Sequence, residues 1–427
     1  MANSRECDVV VVGGGPAGST IAGLLAQKRR HVVLLEKERF PRFHIGESLL
    51  PLNLPLFDRL GVTDEIRRIG VYKPGAELVS DKHDAVATFR FADNPFLSVG
   101  YSYQVKRSEF DKVLLDNSRR LGADVMEGTR VTDVTLGSGD RVSVIAIGSD
   151  ETSLHLSARF IVDASGRDTL LSGRLGLKRI DKRNNTAAIF GHFRNIPQRN
   201  DDKAGMITVH LFEHGWIWVI PLRDGITSVG VVGTQTLFKA KTGKPDAIFA
   251  RAVGSCPGLA RDMANAEPLG PLVGCADYSY DSYSYVGERH ILVGDAAAFI
   301  DPLFSSGVMM AMSSAAFGAT VVDALLDNRQ PRKQLVREYE RKIQVSLASL
   351  SWLIYRINSP VLRDILMSSF DLFKTRHGLI KILAGDFYGQ RSLLSPLRRL
   401  QIAYGFLLLV SKFGFQLRDG RIVKRAL

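Results

Sequence analysis

Gly13, Gly15 and Gly18 stand in the spacing G-x-G-x-x-G, directly after the apolar run Cys7-Asp-Val-Val-Val-Val12. That spacing serves one kind of chemistry, the holding of a dinucleotide pyrophosphate. The first glycine allows a tight turn after a buried strand. Gly15 lets the backbone approach phosphate, and Gly18 lets helix pack closely on strand. A helix from about Pro16 to Lys28 then offers its N-terminal amides and its dipole to the anion. A second apolar run, His31-Val-Val-Leu-Leu35, ends in Glu36, placed to hydrogen-bond a ribose hydroxyl. An acid there disfavours a 2′-phosphate, so the expected ligand is FAD or NAD and not NADP. Glycine turns are common, and it is the ordered set of strand, glycines, helix, strand and acid that carries the reading.

The elements that position these residues are spread along 427 residues, enough for two or three domains. Alternating stretches such as Arg130–Leu136 and Arg141–Ile147 read as antiparallel strands. A late apolar strand, His290-Ile-Leu-Val293, enters Gly294-Asp295 and a helix of small residues. Beyond about Pro331 glycine thins out and helical periodicity dominates, as in Leu335–Ile343 and Leu397–Lys412. The expected fold is α/β. A discontinuous Rossmann-like FAD domain (residues 1–88, 101–180 and 286–330) carries an inserted antiparallel β-sheet substrate domain (89–100 and 181–285). A C-terminal helical region spans 331–427.

Composition narrows the class. A mean hydropathy of +0.02 fits a globular chain with a sizeable core. Three cysteines without CxxC spacing give neither a disulfide framework nor a zinc site. The chain enters a strand by Asp8, so no signal peptide is expected, and no apolar run reaches the about 18 uninterrupted residues of a membrane span. The expected setting is cytoplasmic. The net charge of +12 suits an anionic cofactor or an acidic partner. No nucleic-acid motif accompanies it, which argues against nucleic acid as partner.

Further motifs separate FAD from NAD. Val105-Lys-Arg-Ser-Glu-Phe-Asp111 places Arg107 and Asp111 at a helix start, Ile161–Arg167 forms a strand and glycine turn, and Ile291–Ala298 contains Gly294-Asp295. This order resembles the FAD enzymes of glutathione-reductase type in the aromatic hydroxylase class. The resemblance implies that Asp295 contacts the ribityl chain or phosphate and that Arg107 lies near the FAD; Asp295 would also serve as a helix N-cap. It covers about the first 330 residues.

Two stretches resemble the signatures of the flavin-dependent halogenases: Trp216-x-Trp218-x-Ile220-Pro221, and Phe299-x-x-Pro302-x-x-Ser305-x-Gly307. Phe40–Pro51, with Gly46-Glu47-Ser48, looks like the segment after the dinucleotide fold in that family. Taken singly, the tryptophans could be a core pair and Pro302–Gly307 a turn.

The resemblance implies a halogenase that puts chlorine or bromine on an electron-rich aromatic in natural-product biosynthesis. A separate NAD(P)H-dependent reductase supplies FADH2, oxygen gives a flavin hydroperoxide, and chloride or bromide becomes hypohalous acid. The acid passes the tryptophans to a lysine. By position in the family pattern that lysine is Lys73, whose amine burial can tune as it cannot tune a guanidinium. The other implied cofactor contacts are Gly13, Gly15, Pro16, Ala17, Gly18, Glu36, Lys37, Arg42, Ser48, Pro302 and Gly307. Ser306 and Gly307 would hold the halide through amides at a helix start. Trp216, Trp218, Phe304 and Ser305 would line the tunnel and substrate space.

The sequence departs from the tryptophan-type enzymes at one telling place. They carry a glutamate beside the serine, where this chain has Phe304. The pattern therefore resembles the phenol and pyrrole halogenases, whose substrate is either free or tethered to a carrier protein. Glu47 and His44 are alternative acid or base candidates by proximity in sequence. The rival readings are an aromatic hydroxylase, a geranylgeranyl-reductase-like oxidoreductase, and a flavin-binding module without turnover. Trp216, Trp218 and Lys73 argue against the first two, and the presence of the reactive groups argues against the third.

Overall fold

The computed structural model describes residues 5–95, 97–137, 139–239, 244–368, 375–386, 396–418 and 421–424. Arg5–Val12 forms the centre of the first sheet because its valines shed water on both faces: Val9, Val10 and Val11 are fully buried. It pairs in parallel with Val32–Glu36 on one side and with Ser153–Asp163 on the other. Asp124–Glu127 continues the parallel edge beyond Val32–Glu36. The long strand Ser153–Asp163 divides its partners. Its first half pairs antiparallel with Val142–Gly148, and its last residues pair in parallel with His290–Leu292. The Pro16–Gln27 and Gly307–Leu326 helices pack together on this sheet.

Gly307–Leu326 is long and apolar enough to cross a membrane by length and composition, but most of it is buried inside the protein. Ser313, Ser314, Thr320 and Asp323 interrupt it, so a count of uninterrupted apolar residues does not register it.

The second sheet runs, in spatial order, Glu267–Pro268, Lys178–Arg194, Thr227–Thr234, Gly215–Pro221, Ile207–Phe212, Gly75–Ser80 and Ala85–Arg90, with Val273–Ser282 on Lys178–Arg194. All its pairs are antiparallel except Ile207–Phe212 with Gly75–Ser80. The strands of 75–90 thus belong to this sheet. The sequence reading had placed 1–88 with the nucleotide-binding segment. Phe89 faces Ala76 across a local hairpin, but the link to the sheet is the distant register Val209 with Leu78.

The second sheet is covered on both faces. Ile217, Val229 and Val231 pack against the Pro245–Gly254 and Pro257–Asp262 helices. Trp216, Trp218 and Ile220 face the other way, toward the C-terminal helices Arg332–Ile354, Pro360–Met367, Thr375–Leu383 and Pro396–Lys412. A small hairpin, Phe415–Arg418 with Arg421–Lys424, follows these helices.

One buried guanidinium fastens the two parts. Arg363 donates to the carbonyls of Phe212 (2.7 Å) and Gly215 (3.2 Å), at the turn that leads into the tryptophan strand. It also donates to Ile357 O (2.8 Å) and to Asn358 Oδ1 (2.7 Å). His83 adds a second link, its Nε2 lying 3.0 Å from Asp364 Oδ1.

Candidate active site

The glycine turn separates packing roles from a binding role. At Gly13, with φ +99°, a Cβ would lie 2.4 Å from Ala164 O. At Gly18 it would lie 1.8 Å from Gly13 O. Both positions are closed by the protein itself. Gly15 is different: a Cβ there would meet only Arg42 Nη2, at 3.7 Å. The backbone at Gly15 therefore opens toward a cation at the start of the Pro16–Gln27 helix. Glu36 is buried at the end of its strand, and its Oε2 accepts the Gly14 N–H at 2.6 Å.

Arginines gather on this side. Arg107 forms a bidentate pair with buried Asp111 (2.7 and 3.0 Å) and donates to Ile45 O at 2.5 Å. Arg42 Nη1 is buried without a hydrogen-bond partner, 3.5 Å from Asp111 Oδ2. Gly294 (φ +60°) brings the second motif against the first, since a Cβ there would lie 2.9 Å from that of Ala17. Burial raises the carboxyl of the following Asp295 to about 6, against the opposing charges of Arg107 and Arg167. Asp295 lies inside the short turn Gly294–Ala296, whose N-cap is Val293, so it does not occupy the cap position. Lys37 is exposed and pairs with Asp168. An open glycine backbone at a helix start, a buried guanidinium nitrogen of Arg42 without a hydrogen-bond partner and a buried acid at the end of the second strand fit an anionic dinucleotide such as FAD.

Lys73 ends the Val71–Lys73 strand and is 1% exposed. Its Nζ donates to Ser48 Oγ and to Leu49 O, both at 2.8 Å, and lies 5.4 Å from the centre of the Phe91 ring. No salt bridge to it is present among the described residues, and burial pushes the ammonium down to about 7. Ser48, expected at the cofactor, is thus a partner of the lysine.

Lys73 lines a narrow cavity of about 30 Å³ with Leu50, Phe91, Phe304 and Ser305. Ile357, Leu366, Leu379 and Leu383 of the C-terminal region close its far side.

Ser305 has φ +55°, an uncommon conformation for a residue with a Cβ. It turns the chain from the Pro302–Phe304 turn into the Gly307–Leu326 helix. Ser306 is buried at the N-cap, its Oγ without a partner, and Gly307 is open, with nothing within 4 Å of an added Cβ.

Trp216 and Trp218 lie side by side on the inner face, ring centres 5.9 Å apart. They share an apolar cluster with Leu50, Leu303 and Phe304 but do not line the lysine cavity itself. Trp218 lies flat against Gly230 and donates to Ser228 Oγ at 3.1 Å.

His44 is exposed, and the nearby charge of Arg107 holds its imidazole below the ordinary histidine range. Glu47 is buried, with Oε1 2.8 Å from Nε2 of His192, a residue that nothing in its own neighbourhood had marked.

A family profile described as tryptophan halogenase matches residues 8–93 and 78–358. The 1H-pyrrole-2-carbonyl-[peptidyl-carrier protein] chlorinase of Pseudomonas fluorescens is 33% identical over 421 residues, covering 92% of each chain. Among solved structures, a flavoprotein/dehydrogenase from Cytophaga hutchinsonii superposes with a TM-score of 0.87 at 27% identity, covering 96% of this chain and 100% of that one. The myxobacterial chondrochloren halogenase gives 0.78 at 32% identity, covering 94% and 98%. The cofactor turn, the buried lysine and these likenesses agree, and the chain belongs to the flavin-dependent halogenases, enzymes that use FAD and take a halide as cosubstrate.

Proposed function

We propose that the enzyme installs chlorine or bromine on an electron-rich aromatic ring of phenol or pyrrole type, with Lys73 as the amine that presents the electrophilic halogen. The observation that carries this reading is the burial of Lys73 without a carboxylate. An exposed lysine is protonated at neutral pH and cannot accept halogen. One held near 7 by desolvation is divided between ammonium and amine, so it can hydrogen-bond hypohalous acid or form a haloamine. Ser48 Oγ and Leu49 O fix Nζ at one point of an otherwise apolar cavity.

Reduced FAD, delivered by a separate reductase, would supply two electrons that bring oxygen to the peroxide level, at which it can take two more from the halide. Gly15, Arg42, Arg107 and Glu36 would hold it, and by family pattern Asp295, Lys37 and Pro302 would join them. Ser306 and Gly307 would bind the halide. The orphaned Ser306 Oγ and the open Gly307 backbone support that role. Trp216 and Trp218 would keep the ring away from the flavin.

Phe304 supports an activated ring, because it offers the reaction no carboxylate at the serine loop. The relative named for a carrier-bound pyrrole supports extending the substrate class to carrier-tethered rings. The buried thiols Cys7 and Cys256 suit a reducing, cytoplasmic setting.

The test is product analysis by mass spectrometry. The enzyme is given FAD, a flavin reductase, NADH, oxygen and a panel of phenols and pyrroles, free and carrier-bound, with chloride or bromide in turn. A halogen isotope pattern that disappears without halide supports the reading. Addition of one oxygen in every condition contradicts it.

A further inference from the structure

Electrophilic halogenation releases one ring proton for every halogen installed. Phe304, Trp216 and Trp218 cannot accept it, and Lys73 is engaged with the halogen. We propose that Glu47 is the base that takes this proton and that His192 conducts it to solvent.

Three observations support the pair. Glu47 is 1% exposed, and while Oε1 meets His192, its Oε2 is buried with no partner. An orphaned carboxylate oxygen is costly in a folded interior and is kept where it has work to do.

Its place is also specific. Gly46 before it abuts Arg107, a Cβ there lying 2.9 Å from Nη1, while Ser48 after it holds Lys73. Along the chain, Glu47 therefore sits between the residue that abuts the cofactor arginine and the residue that holds the reactive amine.

His192, in turn, lies on the face of the sheet that carries the tryptophans. It pairs with Ser228, the acceptor of the Trp218 indole N–H. Phe43 packs against both His192 (5.4 Å) and Phe190 (6.3 Å), and Phe190 contacts Trp218 at 5.8 Å. The His192 side chain is 20% exposed, so the imidazole joins a buried carboxylate to water.

The step balances. The neutral amine of Lys73 takes the halogen from hypohalous acid, and the N–H proton it gives up leaves with the hydroxide as water. As the carbon–halogen bond forms, the nitrogen–halogen bond breaks and its electron pair stays on the Lys73 nitrogen. The ring C–H pair restores aromaticity, and its proton passes to Glu47 Oε2. A half-turn of the carboxyl brings that proton to Nε2 of His192, whose Nδ1 gives one up to solvent. Solvent returns a proton to Lys73, so the sum is aromatic C–H plus hypohalous acid giving aromatic C–halogen plus water.

This inference rests on the proposed ring substrates, and wild-type product formation in the same assay tests that reading separately. The experiment compares wild type, Glu47→Gln and His192→Gln on phenol and pyrrole, each in ring-protiated and ring-deuterated form, with FAD content checked by absorbance. Expected for Glu47→Gln is normal FAD content, turnover lower by about 100-fold, and a primary isotope effect that the wild type lacks. Expected for His192→Gln, which keeps a donor to Glu47, is a normal first turnover and a slowed steady state. Glu47→Gln turnover within twofold of wild type, or a slow variant that does not distinguish deuterium from hydrogen, would overturn the proposal.

Discussion

Nζ of Lys73 and Oγ of Ser48 lie 2.8 Å apart inside an apolar pocket, so the amine is held by neutral acceptors alone among the described residues. A lysine in that position binds fewer protons folded than unfolded. Its burial costs nothing above about 10.5, where the amine is neutral in both states. It costs progressively more as pH falls toward 7, and the full amount below that. Lys73→Met should therefore be more stable than wild type at pH 7, with the difference shrinking as pH rises toward 10. Denaturant melts across that range check the sign.

The same titration sets a kinetic expectation. Halogenation should rise with pH through about 7 as the neutral amine appears. A rate that stays flat between pH 6 and 8, at constant FAD content, would remove the amine from the reaction.

Gly15 and Gly18 should fail in different ways. Gly15→Val leaves a folded protein without flavin absorbance, because its side chain points into open space beside Arg42. Gly18→Ala drives a methyl into Gly13 O and should not yield folded protein at all. Yellow, folded Gly15→Val would contradict the placement of the pyrophosphate.

Arg363→Ala should loosen the C-terminal helices from the tryptophan strand. It removes charged hydrogen bonds to two buried carbonyls, at a cost of about 3 kcal/mol. Shifted denaturation midpoints and faster proteolysis beyond residue 331 are the readouts.

Gly230→Ala should displace Trp218, since its methyl would sit 2.1 Å from the indole ring. Halogenation and tryptophan fluorescence should both change. In a Trp218→Ala background, Gly230→Ala should cost no further stability, because the clash is then gone.

Much of the nucleotide half was legible because its signals are local. Cys7–Val12, the glycines and Glu36 lie within 30 residues and each follows from the one before. The second sheet was harder. Gly75–Ser80 joins it through Ile207–Phe212, and no feature of residues 75–80 announces a partner so far away. His192 was invisible for the same reason: its meaning comes from Glu47, 145 positions earlier. The closing of the lysine cavity by Ile357, Leu366, Leu379 and Leu383 is also tertiary, because periodicity shows that a helix has an apolar face but not what the face covers.

The most direct test of the account compares wild type with Lys73→Met, both loaded with FAD and supplied with a reductase, oxygen and bromide. Oxygen consumption and brominated product are measured together on the best substrate of the panel. The account predicts that both proteins consume oxygen alike and that only the wild type gives product with the paired bromine masses. Brominated product from Lys73→Met at the wild-type rate would contradict it.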